Sequence, residues 1–162
     1  MPPAARVSDW TSHFSLPLNT GPGSPNVMIG FLRAWRAVPV AAAAGLQAAL
    51  TAVETTMTSL ETATKTAPDP ASKSTALAVE TAAKTAANST MASVMAQTGA
   101  DIHICPKFAS PSFVPHGPGV VLKASTTVII NNLPAARQGD KVVETLGGNN
   151  PISRGEIAVL IG

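Results

Sequence analysis

The residues able to do chemistry in this chain are few, and two of them stand together. In Asp101-Ile102-His103-Ile104-Cys105-Pro106 a histidine and the only cysteine are two positions apart. On a β-strand successive side chains point to opposite faces, so His103 and Cys105 share one face. The other two histidines, His13 and His116, lie in Pro-, Gly- and Ser-rich segments that read as fixed surface loops. Three imidazoles and one thiolate make a complete tetrahedral zinc set with no position left for water or substrate. The expected ligands are therefore His13, His103, Cys105 and His116, and the expected ion is a structural zinc (Zn2+). A buried thiol beside a surface histidine is the plainer account of His103 and Cys105 taken alone. A catalytic zinc would need an open coordination position and an acid/base residue beside it. The nearby carboxylate is Asp101, whose ordinary role would be to orient an imidazole. The chain has no His-Glu-x-x-His, Gly-x-Ser-x-Gly or phosphate-loop motif, and we expect no enzyme.

Composition asks what could hold such a site in place. Of 162 residues, 45% are hydrophobic, but aromatics are only 4% and much of the remainder is alanine. With 12 Gly and 14 Pro besides, a conventional core is hard to build, which makes a metal staple attractive. A net charge of +2, from 11 basic and 9 acidic residues that are scattered, argues against a nucleic-acid partner. One cysteine excludes an internal disulfide framework and suits a reducing compartment. The first residues lack a basic segment followed by an apolar one, so no signal peptide is expected.

The frame is repetitive. Pro3-Ala4-Ala5-Arg6-Val7-Ser8-Asp9 matches Pro134-Ala135-Ala136-Arg137-Gln138-Gly139-Asp140. Residues 24–36 align without a gap to 125–137, and Val159-Leu160-Ile161-Gly162 repeats the Val-x-Ile-Gly pattern of Val27 to Gly30. This predicts three short strands ending near Gly30, Asn131 and Gly162, with turns at 3–6, 33–36 (degenerate, Arg-Ala-Trp-Arg) and 134–137. The Arg/Asp pairs of the turns are expected to bond within the fold. The middle unit is much longer and has taken in an insertion. Between 37 and 99, Leu46, Leu50, Val53, Met57 and Leu60 recur at alternating spacings of four and three, the stripe of an amphipathic helix. Asp69 suits an N-cap and Pro70 the first position of a second helix, with an apolar stripe through Leu77, Val79, Ala83, Ala86, Met91 and Val94, and Gly99 as its stop. The two should pack as an antiparallel hairpin. Pro39, Gln47 and Glu54 interrupt the apolar run at its start, so no stable membrane span is expected. The four prolines of 106–118 predict a stiff extended loop with His116 at a Pro-His-Gly corner.

The repeated Pro-Ala-Ala-Arg tetrapeptide, with Gly21-Pro22-Gly23-Ser24-Pro25-Asn26-Val27-Met28-Ile29-Gly30 and Leu133-Pro134-Ala135-Ala136-Arg137-Gln138-Gly139-Asp140, resembles the PAAR-repeat family. The resemblance covers 1–36 and about 100–162. It implies a mainly β fold, a small pointed β-prism with pseudo-threefold repeats, here discontinuous (1–36 and 100–162) and interrupted by the helical hairpin at 37–99. It further implies a cap on the trimeric VgrG-like spike of a type VI secretion or related contractile injection apparatus, with zinc near the point held by three His and one Cys. Carried over, those ligands fall on His13, His103, Cys105 and His116. The base would dock through strands at 27–30, 128–131 and 159–162. The hairpin would recruit a cargo effector or adaptor, and no toxin is expected after Gly162. Such a protein would be cytoplasmic until assembled and then injected by the machine. The alternative is a free-standing zinc-stapled interaction module with no secretion role.

Overall fold

The computed structural model describes residues 1–13 and 16–162. In chain order the elements are β1 (Pro3–Ala4), β2 (Met28–Ile29), β3 (Leu32–Arg33), α1 (Val40–Thr66), α2 (Pro70–Gln97), β4 (His103–Ala109), β5 (Val114–Val121), β6 (Ile129–Ile130), β7 (Leu133–Pro134), β8 (Lys141–Glu144), β9 (Gly148–Pro151) and β10 (Glu156–Leu160). Helix takes 34% of the residues and strand 30%. The expectation of a mainly β chain is corrected accordingly: the chain is mixed, because the insertion contributes helices of 27 and 28 residues. Outside the insertion it is antiparallel β throughout.

The sequence repeat becomes a ring of backbone hydrogen bonds. The Ala5 N–H donates to Ala136 O (2.9 Å), the Ala136 N–H to Trp35 O (3.0 Å), and the Trp35 N–H to Ala5 O (2.9 Å). Two residues further along each turn the cycle recurs, from Val7 to Arg33, from Ala37 to Pro134 and from Gln138 to Pro3. Each turn is fixed by its arginine. Arg6, Arg36 and Arg137 each pair with an aspartate (Asp9, Asp101, Asp140) that accepts the arginine's own backbone N–H at 2.8 Å and its Nε and Nη2 besides. In two turns the aspartate follows three residues on. In the middle turn it is Asp101, 65 residues later, so the whole insertion sits inside one Arg-x-x-Asp unit.

Two of the repeats end in tight hairpins, β2–β3 and β6–β7. Their turn pairs, Gly30-Phe31 and Asn131-Asn132, all have positive φ (51° to 67°), the geometry that matches the right-handed twist of flanking strands. The third is built from the two ends of the described chain, β1 against β10, with the Ile161 N–H donating to Pro2 O. Ile29, Ile130 and Ile161 occupy the same place in each and are buried together with Ala4, Ala34 and Ala135. Above this layer Trp35 stands where the other turns have Ala5 and Ala136. It is fully buried, and Gly21 leaves room for its ring. The degenerate Arg-Ala-Trp-Arg turn is thus one indole filling an interior that three alanines would leave hollow.

The helical hairpin forms largely as expected. Asp69 accepts the Ser72 N–H (2.9 Å), Pro70 opens α2, and Gly99 takes φ +74° after its end. Leu46, Leu50, Met91 and Met95 bury against Val38, Ala100 and Val120, which seats the hairpin's base on the sheet. The buried face of α2 is only partly apolar: Met91 and Met95 are buried and Leu77, Ala83 and Val94 half-buried. Val79 is exposed, and the buried face carries Glu80 and Lys84, with Lys84 Nζ donating to Glu80 (2.8 Å) and to Glu61 of α1 (2.7 Å). Neutral side chains would be cheaper there; the ions are stable because they are paired. No helix among the described residues is long and apolar enough to cross a membrane.

The second correction concerns 106–119. Instead of a stiff loop, the segment is the antiparallel pair β4–β5, which extends through β8 and β9 into a four-stranded sheet. Pro115 and Pro118 lie within β5, and Gly117 takes φ +80° beside Asn88 of α2, whose Nδ2 donates to Pro115 O (2.9 Å).

Candidate metal centre

Strand alternation delivers the donors. His103 and Cys105 both point inward from β4 and are fully buried, while Ile104 between them is exposed. Opposite them in register are Gly119 and Gly117; a Cβ on Gly119 would crowd Val142 and Glu144, and one on Gly117 would overlap the Asn88 side chain. His116 enters from β5 and Glu144 from the end of β8, both nearly buried. His13 arrives from the N-terminal segment, held by its own backbone N–H donating to Asn150 Oδ1 (2.9 Å).

One ligand atom from each of His13, Cys105, His116 and Glu144 lies within 4.8 Å of every other. Cys105 Sγ is 3.9 Å from His13 Nδ1 and 3.8 Å from His116 Nδ1. Separations of this size are near those that tetrahedral zinc–nitrogen and zinc–sulfur bonds impose between neighbouring donors. Glu144 Oε2 lies 3.0 Å from His13 Nδ1 and 2.9 Å from His116 Nδ1. Gly147 closes the far side; a Cβ there would overlap both the Glu144 carboxylate and the His116 ring.

Three of the four residues expected from the sequence therefore meet. His103 occupies the same buried face but lies outside the tight group, and neither of its nitrogens makes a hydrogen bond. A fully buried imidazole with two unpartnered nitrogens is costly, and an ion among the donors would satisfy one of them. The residues present fit a metal: soft and borderline donors, buried, converging, with an unpartnered imidazole beside them. Burial holds the His103 and His116 imidazolium forms down, opposed by the Glu144 charge, which favours the neutral rings a metal needs. Burial also pushes the Cys105 thiol up to about 11, so a bound cation must displace its proton.

Asp101 does not have the role foreseen for it. Its carboxylate is committed to Arg36, at 2.8 Å to Nη2, and the acidic partner of the histidines is Glu144. Sequence reasoning missed Glu144. The signal was the alternation of Lys141-Val142-Val143-Glu144, which puts a carboxylate on the inward face shared with Val142.

A ring of repeated turns carrying a buried His/Cys/Glu cluster defines a repeat protein with a donor group able to hold a metal ion. Comparison with known families makes this specific: residues 112–162 match the model of the PAAR motif. The chain thus carries the motif of the PAAR-repeat family, with two helices inserted ahead of it. No curated protein and no solved structure matches it.

Proposed function

We infer that this protein is the zinc-stabilised tip of a contractile injection apparatus of the type VI kind, seated as a small pointed β-prism on a trimeric VgrG-like spike. The observation that carries the reading is a threefold apolar rim. Met28, Ile129 and Leu160 are equivalent in the repeat and are 57%, 55% and 52% exposed, while the next residues, Ile29, Ile130 and Ile161, are 8%, 7% and 4% exposed. A single chain that presents the same apolar side chain three times around an axis is suited to a partner with three identical subunits. The short strands bearing these residues offer edges for the partner's strands to extend.

The metal belongs to other segments, β4, β5, the end of β8 and the loop of His13. His13, His103, Cys105 and His116 would hold zinc, and the ion would supply cross-linking where there is too little apolar volume to pack. The role is structural, not enzymatic: the donor set is closed, with no position for a substrate. The helical hairpin is proposed as the module for a cargo or adaptor. Its supported half is buried in the core, so the part free to vary lies beyond Met57. Removing residues 58–87 with a short reconnecting turn should leave spike binding intact and abolish cargo co-purification; survival of both would remove the hairpin from delivery.

The docking test is co-purification with a trimeric β-helical spike protein. Wild-type chain should be retained, and the Met28→Glu, Ile129→Glu, Leu160→Glu triple variant should be lost while its metal content stays unchanged. Equal retention of both proteins would refute the rim as the docking surface. Failure of the wild type to bind would leave a free-standing metal-stapled module.

A further inference from the structure

The deepest buried carboxylate outside the turn and hairpin ion pairs is Glu144, and its hydrogen-bond partners are of an unusual kind. Its Oε2 faces the Nδ1 atoms of both His13 and His116, and its Oε1 accepts from Asn150 Nδ2 (2.6 Å). No arginine or lysine is among these partners. Asn150 is itself fully buried, and its Oδ1 accepts from the His13 N–H and from Ser12 Oγ (3.1 Å). One amide therefore holds both the carboxylate and the loop that brings His13.

We propose that Glu144 is a direct oxygen ligand of the metal held by His13, Cys105 and His116, so that the centre has nitrogen, sulfur and oxygen donors together. The inference rests on the metal reading above and replaces His103, which lies outside the tight group, by Glu144 as the fourth ligand. Two Nδ1 lone pairs, a thiolate and a carboxylate oxygen cannot face one another within 4.8 Å unless protons or a cation lie among them. A single divalent ion serves all four, replacing the protons that the imidazoles and the thiol otherwise supply. Charge favours the same arrangement. A divalent ion with one thiolate leaves a net positive charge in a buried site, and the Glu144 carboxylate cancels it. The cradle is built for it: Gly147 has no side chain where carboxylate and imidazole meet, and Asn150 fixes the second oxygen so that Oε2 points inward.

The test uses the full chain. X-ray absorption of the zinc-loaded wild type should show one sulfur and three light donors in the inner shell, with outer-shell imidazole scattering from only two histidines. Cobalt(II)-loaded wild type and Glu144→Gln should differ in the position and intensity of their visible d–d bands. Zinc affinity, measured by competition with a chromophoric chelator, should fall about tenfold or more in the variant. A wild-type centre with three imidazoles and one sulfur overturns the proposal even if the variant fails to fold. So does an affinity loss with unchanged cobalt bands, which is the mark of a residue that only orients the histidines. Wild type that takes up neither ion overturns the metal reading itself, a different failure from a metal site that excludes Glu144.

Discussion

The two ends of the β unit are held by different physics. At the end with the short hairpins the main contacts occur three times: three cyclic backbone bonds, three Arg–Asp turns, three equivalent isoleucines. At the donor end nothing repeats. His13, His116 and Glu144 come from a loop, a strand middle and a strand end, and they meet around one point. Repetition lets small side chains close a core cheaply, since each solution is used three times. Convergence of unlike segments gives little apolar area, and there cohesion must come from polar donors and the ion they can share.

The sharpest way to break this contrast is to remove the metal. Chelation, or Cys105→Ser, should lower the melting temperature severely, since apparent contributions of such ions reach about 10 kcal/mol at neutral pH. Hydrogen exchange should localise the loss. Amides of β4, β5, β8 and β9 should lose protection first, and those of β2–β3 and β6–β7 last. Uniform loss across both ends, or no change on chelation, would mean that the donor end is held by packing.

The second test lies where the ends join. Arg36–Asp101 is the most buried of the three Arg–Asp pairs, with Asp101 fully covered, whereas Arg137 and Asp140 keep 22% and 11% of their side chains exposed. Asp101→Ala should cost about 3–5 kcal/mol, because it strands a buried guanidinium and unties the segment that returns from the insertion. Asp140→Ala should cost about 1–2 kcal/mol. Denaturant unfolding of the two variants checks the order, and equal losses would show that the pairs are interchangeable.

That pair also marks how far the sequence could be read. The gap-free match of residues 24–36 with 125–137 placed the turns, the short strands and the insertion, because shared residues at the same spacing favour the same backbone; the tight hairpins were not foreseen. The Arg-x-x-Asp spacing was visible in two units; in the third it was hidden by the helices between Arg36 and Asp101. Chemical scarcity pointed to His13, His103, Cys105 and His116, of which His103 stays outside the tight group. Glu144 was invisible for the opposite reason: carboxylates are common, and only the pairing of β8 with β5 brings this one to the histidines. The fate of 106–119 was misread because proline counts against a sheet interior; β5 accommodates Pro115 and Pro118 where their missing N–H is not required. The burial of the Lys84–Glu80 pair of α2 was not legible, because it looks like solvent-facing charge until Glu61 of α1 is seen beside it.

The helical hairpin gives a third, pH-based distinction. Lys84 is held above its ordinary value: burial opposes the shift, and Glu61 and Glu80 outweigh it. Glu80 is held below its own, against burial, chiefly by Lys84. A lowered acid contributes stability that is present above its unfolded pKa near 4.5 and lost as pH falls through the folded value. A raised base contributes stability that is present below about 10.5 and lost as pH rises through its folded value. Helical circular dichroism of the hairpin should therefore be flat between about pH 5 and 10 and decline outside that window. Lys84→Met should cost about 3 kcal/mol by leaving Glu80 unpaired. It should also remove the alkaline limb of the profile. An unchanged alkaline limb would assign that transition to another group.

The smallest expected effect examines the symmetry itself. Ile29→Val, Ile130→Val and Ile161→Val each remove one methylene from the same cluster, for about 1 kcal/mol apiece. If the three positions are physically equivalent, the losses should agree within the few tenths that thermal or denaturant unfolding resolves. The closure of each hairpin differs, however: two are covalent turns and the third is Ile161 donating to Pro2 O across chain ends. A larger loss at Ile161 alone would mean that the turn, not the shared core, supplies part of the stability at the other two. Because the three side chains touch, the triple variant should deviate from the sum of the singles. Strict additivity would mean that each isoleucine packs on its own hairpin and that the threefold core is three separate contacts.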